Sequence, residues 1–176
     1  MERHAENLMS ETLKAMLEAL KTAGYRLTPQ RKAILRVLAE SEEHPSAQMI
    51  YETLRREDAS SLSDGFSLAT VYNTLEALTR LGMINVLGEV GSSDAVRYDA
   101  DTAPHINLAC VICHRIVDLP STHVEQLDEE IERTSGYALL GARMLYYGVC
   151  PDCQAKQARG KTTLNNNAKI LRENKE

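Results

Sequence analysis

Helical periodicity through the first half of the chain, short β-type runs through the second, and two CxxC pairs that use every cysteine predict an α+β protein in two parts. The first part reads as helices followed by a β-hairpin, the second as a small α/β unit stapled by metal. With 176 residues and 43% hydrophobic content the chain can bury the cores of two small domains. No run approaches the roughly 18 apolar residues that a membrane span needs, so a cytoplasmic protein with no membrane partner is expected. The polar N-terminus has no apolar signal core, which argues against secretion and disulfides. With no tryptophan and one phenylalanine, the cores must rest on Leu, Ile, Val and Ala with some of the seven tyrosines.

Residues 1–9 read as an arm and 10–98 as the first domain. Ser10 is a cap for a helix through Lys21, with Leu13, Met16, Leu17 and Leu20 on one face and Gly24 as a left-handed stop. Thr28-Pro29 is a start signal, a capping hydroxyl followed by proline at the first helical position. That helix carries Ile34, Leu35 and Leu38 inward. Pro45-Ser46 opens a third helix with Ile50, Tyr51 and Leu54 as its apolar side. After a loop from Asp58 to Gly65, Ser67 caps a fourth that ends at Gly82.

In the fourth helix Leu68, Val71, Leu75, Leu78 and Leu81 form a buried stripe. The opposite face opens with Ala69, Thr70, Tyr72 and Asn73, groups suited to base edges, where an apolar contact meets a thymine methyl and an amide reads adenine. Ile84 to Leu87 and Ala95 to Tyr98 read as strands around a turn from Gly88 to Ser93. Helices followed by a hairpin make a winged helix-turn-helix, whose last helix enters the major groove. Charge gives no general support, since the net is −5 and residues 1–94 hold fourteen acids against ten bases. DNA binding would need Arg26 and Arg31, with Lys32, Arg55, Arg56 and Arg80, gathered on one side to meet phosphates.

Residues 99–157 read as a second domain with strands at Ile106 to Ala109, His114 to Leu119 and Leu145 to Val149, and a helix from Ser121 to Thr134. Its apolar surface suits a homodimer, whose two-fold axis would match a palindromic operator in double-stranded DNA. Residues 158–176 are polar and read as a flexible tail.

Cys110, Cys113, Cys150 and Cys153 carry the strongest chemical signal. Two residues between ligands let one tight turn present both sulfurs to one ion, and two such turns close a tetrahedral Zn²⁺ shell with no open position. The 36 residues between Cys113 and Cys150 exceed a simple zinc ribbon, so a folded unit must separate the knuckles. Thiol redox chemistry is the bland alternative, but it needs one pair rather than two.

His44, Asp99, His105 and Asp118 form a second set, all at the ends of predicted elements. A lone histidine in a polar loop is more often a surface residue. Together, imidazoles and carboxylates suit Fe²⁺ or Mn²⁺, and an ion held by all of them would clamp the two domains. His114 reads as a knuckle residue beside zinc and His123 as a surface residue.

The segments RLTPQRKAIL, EHPSAQMIY, SLATVYNTLEAL, VRYD, HINLACVICHRIVDL and YYGVCPDC resemble the ferric uptake regulator superfamily across about residues 10–155. The resemblance implies a homodimeric, metal-dependent transcriptional repressor, not an enzyme, with zinc on the four cysteines. Within the superfamily the chain looks most like the peroxide-sensing repressors, because both carboxylates are aspartate and Asn73 stands in the TVYN motif. It implies regulatory metal on His44, Asp99, His105 and Asp118, and oxidation of His44 or His105 to 2-oxo-histidine by peroxide. The family's His-x-His is His105-Ile106-Asn107 here, so Asn107 or His4 would complete the set. An iron- or manganese-responsive uptake regulator without peroxide sensing is the alternative. A non-haem iron oxygenase would need a substrate pocket that the sequence does not announce, and sequence-specific DNA binding would exclude a metal buffer.

Overall fold

The computed structural model describes residues 2–41, 43–57, 66–89, 96–119 and 123–160, with side chains from Glu11 onward except those of Glu89 and Glu125. The chain divides into two compact units, Met1–Gly88 with Val96–Thr102, and Glu89–Ala95 with Ala103–Glu176. Asp99 therefore belongs to the first unit rather than opening the second.

In the first unit, α1 (Glu2–Thr22), α2 (Pro29–Glu40), α3 (Ala47–Glu57) and α4 (Leu68–Arg80) precede the paired strands β1 (Asn85–Glu89) and β2 (Val96–Asp99). The expected arm and Ser10 cap are corrected, since α1 begins at Glu2. Residues 2–9 hold strong helix formers and no glycine or proline, so nothing stops the helix from running through Ser10. The other start signals hold. Thr28 Oγ1 accepts from Arg31 N at 3.3 Å, Ser46 Oγ from Met49 N at 3.2 Å, and Ser67 Oγ from Thr70 N at 3.3 Å. Gly24 (φ 81°) and Gly82 (φ 67°) end α1 and α4 in the left-handed conformation that residues with a Cβ avoid. At Gly82 the two bonds of the motif are Gly82 N to Thr79 O at 3.0 Å and Met83 N to Leu78 O at 2.9 Å.

Met16 and Leu20 of α1, Ile34, Leu35 and Leu38 of α2, Ile50 and Leu54 of α3, and Val71, Leu75 and Leu78 of α4 are all buried in one core. Burial of one such side chain contributes about 1.5–3 kcal/mol, so this cluster carries the unit. β2 is tied back to the loop before α3 by a Ser46–Arg97 bridge and by Tyr98 N donating to Pro45 O at 3.2 Å. The turn expected between β1 and β2 lies largely outside the described residues.

The second unit contains β3 (Ile106–Cys110), β4 (Ile116–Leu119), α5 (His123–Ser135), β5 (Met144–Gly148) and α6 (Pro151–Ala158), with strand order β4-β3-β5. β4 starts later than expected, because His114 takes φ 61° in the knuckle turn and cannot belong to a strand. β3 and β4 are antiparallel with Asn107 opposite Asp118, whereas β3 and β5 are parallel with Cys110 opposite Gly148. Parallel neighbours need a long crossover, which accounts for the spacing between the CxxC pairs. It also places the ends of β3 and β5, each leading into a CxxC, side by side. Helix α6 was not expected; Pro151 occupies its first turn and Cys150 its N-cap. The tail expected over 158–176 lies outside the described residues from 161 onward.

Candidate metal centres and nucleic-acid interface

The sulfurs of Cys110, Cys113, Cys150 and Cys153 all lie within 4.8 Å of one another and form no disulfide. Cys113 Sγ and Cys150 Sγ are 3.8 Å apart. Four sulfurs at about 2.3 Å from one ion, at tetrahedral angles, stand about 3.8 Å from each other. A disulfide would need about 2.05 Å. The donor set and spacing thus fit a structural Zn²⁺, with every position of the shell taken by protein.

Backbone amides prepare these sulfurs for the metal. Burial opposes ionisation of Cys110, but N–H groups of Cys113, Cys150 and Ile112 outweigh it and lower its pKa to about 6. Burial, followed by the neighbouring sulfurs of Cys150, Cys113 and Cys110, pushes Cys153 up to about 12. Without a cation the sulfurs cannot all be thiolates; a divalent ion removes that conflict. Sequence reasoning missed the Arg115–Asp152 ion pair, 2.7 Å, which joins the end of the first knuckle, just before β4, to α6 after the second. Arg115 is raised above its usual pKa by that hydrogen bond.

In the first unit, His44 and Asp99 form one imidazole–carboxylate pair. His44 Nε2 lies 3.6 Å from Asp99 Oδ1, and the side chains are 4% and 3% exposed. His44 takes φ 50°, a left-handed conformation costing about 1–2 kcal/mol for a residue with a Cβ. Arg97 Nη1 donates to His44 O at 3.2 Å and holds this turn. Asp99 Oδ1 also accepts from Asp101 N at 2.8 Å, which orients the carboxylate. Arg97 carried no sequence signal, because its partner lies 53 positions away.

In the second unit, His105 Nε2 lies 3.5 Å from Asp118 Oδ1. His105 Nδ1 is 2.8 Å from Ala103 O, and a carbonyl only accepts, so Nδ1 holds a proton and, in the neutral ring, Nε2 the lone pair. Asn107 does not point away: it is buried on β3, with Nδ2 3.0 Å from His105 Nε2. These nitrogens and oxygens, from half-buried His105, buried Asn107 and exposed Asp118, are a donor set suited to a hard or borderline divalent ion. His4 lies on α1, but its side chain is outside the described residues. His123 opens α5 on the surface, as expected.

On α4, Ala69, Tyr72 and Asn73 are exposed, and Thr70 is half-buried with Oγ1 3.2 Å from Ser67 Oγ. Arg26 is exposed. Arg31 is partly committed locally: Nη1 donates to Arg26 O at 2.9 Å, and its guanidinium stacks 5.2 Å from the Tyr25 ring centroid. Arg56 and Arg80 pair with Glu52 and Glu76 one turn back, at 3.4 and 3.7 Å, which reduces their charge available to phosphate. No helix among the described residues is long and apolar enough to cross a membrane.

A sequence model of the ferric uptake regulator family matches residues 22–147. The peroxide-responsive repressor PerR of Staphylococcus aureus is 34% identical over 144 residues, covering 82% of this chain and 93% of that protein. The Vibrio cholerae ferric uptake regulator superposes with a TM-score of 0.60 at 27% identity, covering 76% of this chain and 98% of that one. The Pseudomonas aeruginosa regulator solved with manganese gives 0.59 at 25%, covering 75% and 95%. With its helical first unit, its four-cysteine site and this likeness over most of its length, the chain belongs to the ferric uptake regulator family of metal-responsive transcriptional repressors.

Proposed function

We propose that this protein is a homodimeric repressor that binds a palindromic operator while loaded with metal and releases it when peroxide oxidises a ligand histidine. The observation that carries this reading is the separation of donor types. All the thiols are gathered around one closed site, while His44 with Asp99 and His105 with Asp118 offer only nitrogen and oxygen. Sensing therefore falls to histidine rather than cysteine. The resemblance to a Staphylococcus aureus repressor named for its peroxide response supports it.

In this mechanism His44, Asp99, His105 and Asp118 are the ligands of the regulatory metal. The metal-loaded protein is the form in which α4 presents Ala69, Thr70, Tyr72 and Asn73 to the major groove, with Arg26 and Arg31 toward phosphate. Fe²⁺ held there would catalyse oxidation of a ligand imidazole by peroxide. His44 or His105 gains one oxygen atom from peroxide and is oxidised by two electrons, the second peroxide oxygen is released as water, and the altered ring holds metal poorly. The exposed Leu108 of β3, Val117 and Leu119 of β4, and Tyr146 of β5 share one face of the sheet, an apolar surface suited to the second protomer.

The test is operator binding with Fe²⁺ or Mn²⁺, before and after peroxide, followed by mass mapping. A gain of one oxygen on a peptide containing His44 or His105, with Fe²⁺ only, accompanied by loss of DNA, is the expected result. Metal-dependent binding that survives peroxide would instead favour an uptake regulator, the reading favoured by the Vibrio and Pseudomonas relatives.

A further inference from the structure

Asn107 is a buried amide, 3% exposed, whose two ends differ. Its Nδ2 lies 3.0 Å from His105 Nε2, while its buried Oδ1 makes no hydrogen bond among the described residues. The Ala103 carbonyl, 2.8 Å from Nδ1, sets the tautomer of the neutral His105 ring, in which Nε2 carries the lone pair. The amide therefore donates into the lone pair that a metal ion would need. Asp118, directly across the antiparallel ladder, brings Oδ1 to 3.5 Å from the same nitrogen. An amide oxygen buried without a partner is destabilising, and a cation beside His105 and Asp118 would relieve it.

Building on the regulatory-metal reading above, we infer that Asn107 sets the metal preference of that site. Its carboxamide places Nδ2 against His105 Nε2 and turns over to present Oδ1 to a hard divalent cation. The terminal torsion of asparagine is two-fold and soft, and a half-turn exchanges Nδ2 and Oδ1 in nearly the same volume. One movement thus withdraws the blocking donor and adds an oxygen ligand. Replacing an imidazole by a carbonyl-type oxygen hardens the donor set, because imidazole suits Zn²⁺, Cu²⁺ and Ni²⁺ while carbonyl and carboxylate oxygens suit Mn²⁺. The site gives up affinity for all of these ions but loses least for Mn²⁺.

The test is calorimetric titration of the full-length protein, its four cysteines loaded with zinc, using Mn²⁺ and Zn²⁺ separately. Asn107→His is expected to raise the Zn²⁺-to-Mn²⁺ affinity ratio about ten-fold or more, and Asn107→Ala to weaken Mn²⁺ about ten-fold. Asn107→Asp keeps the shape, removes the capping donor and is expected to tighten Mn²⁺; it carries the test if the histidine variant does not fold. An unchanged ratio in Asn107→His, or unchanged Mn²⁺ affinity in both other variants, overturns the inference. Loss of binding in His105→Ala alongside such results would leave the regulatory site standing. A wild-type protein that takes up no second metal equivalent overturns both.

Discussion

His44 sits in a backbone conformation that its side chain disfavours, and its surroundings explain why it stays there. The turn is held by Arg97, through Nη1 to His44 O at 3.2 Å, and by Tyr98 N to Pro45 O at 3.2 Å. Burial lowers the Arg97 pKa, opposed by the charge of Glu43. Losing this guanidinium should therefore loosen the loop and leave the zinc cysteines, which lie in the other unit, untouched. Arg97→Met keeps much of the apolar stem and removes the donor. It is expected to weaken regulatory Mn²⁺ binding about ten-fold, as loss of a group orienting a ligand does, with zinc content unchanged by elemental analysis. Partial recovery in Arg97→Lys would mark the hydrogen bond, rather than bulk, as the source. The candidate ligands were legible in the sequence because His and Asp at element ends are few. The conformation of His44 and the role of Arg97 were not, since both arise from pairing between β2 and a loop far away in the chain.

At the scale of elements, the start signals of α2, α3 and α4 were readable because an N-cap bond spans only three residues, from Ser67 Oγ to Thr70 N in α4. The same cap fixes the first turn of the proposed recognition face. Ser67→Ala should cost about 1 kcal/mol of stability, seen as a lower midpoint of thermal unfolding. Operator affinity should fall further than this stability loss alone explains, because the first turn of α4 frays where Ala69 and Thr70 lie. Equal operator affinity in the variant would separate the cap from recognition. The start of α1 was misread for the converse reason: Ser10 can cap, but residues 2–9 already propagate the helix. α6 did carry a signal in Pro151 directly after Cys150, a proline at the first helical position.

The whole molecule divides its stability unevenly. The first unit is organised around the buried cluster from Met16 to Ile84, whereas in the second the buried apolar side chains among the described residues are few, chiefly Ala109, Ile116 and Val124 with Cys110 and Cys153. Tyr137, Leu140, Tyr146 and Tyr147 are exposed there. A unit so poor in core is expected to depend on metal and on the proposed partner surface. Cys113→Ser, or removal of zinc by a strong chelator, is expected to collapse the second unit and dissociate the proposed dimer in ultracentrifugation. Most helical circular dichroism, which comes from α1 to α4, should remain. A dimer that persists without zinc would show that packing alone sustains this unit.

The sequence by itself determined which chemistry was available: the thiol spacing for zinc, the candidate hard ligands at element ends, the capping residues and the apolar stripe of α4. These are signals carried by neighbours within a turn or two, and covalent spacing is enough to read them. Only the tertiary structure decided how that chemistry is held. Parallel pairing of β3 with β5 brings the two CxxC turns together, Arg97 holds His44 in a left-handed turn, and cross-strand register sets Asn107 opposite Asp118 with its amide on His105. Each joins residues through a backbone or side-chain hydrogen bond whose partner the local pattern does not specify, because pairing and register are chosen by the packing of whole elements.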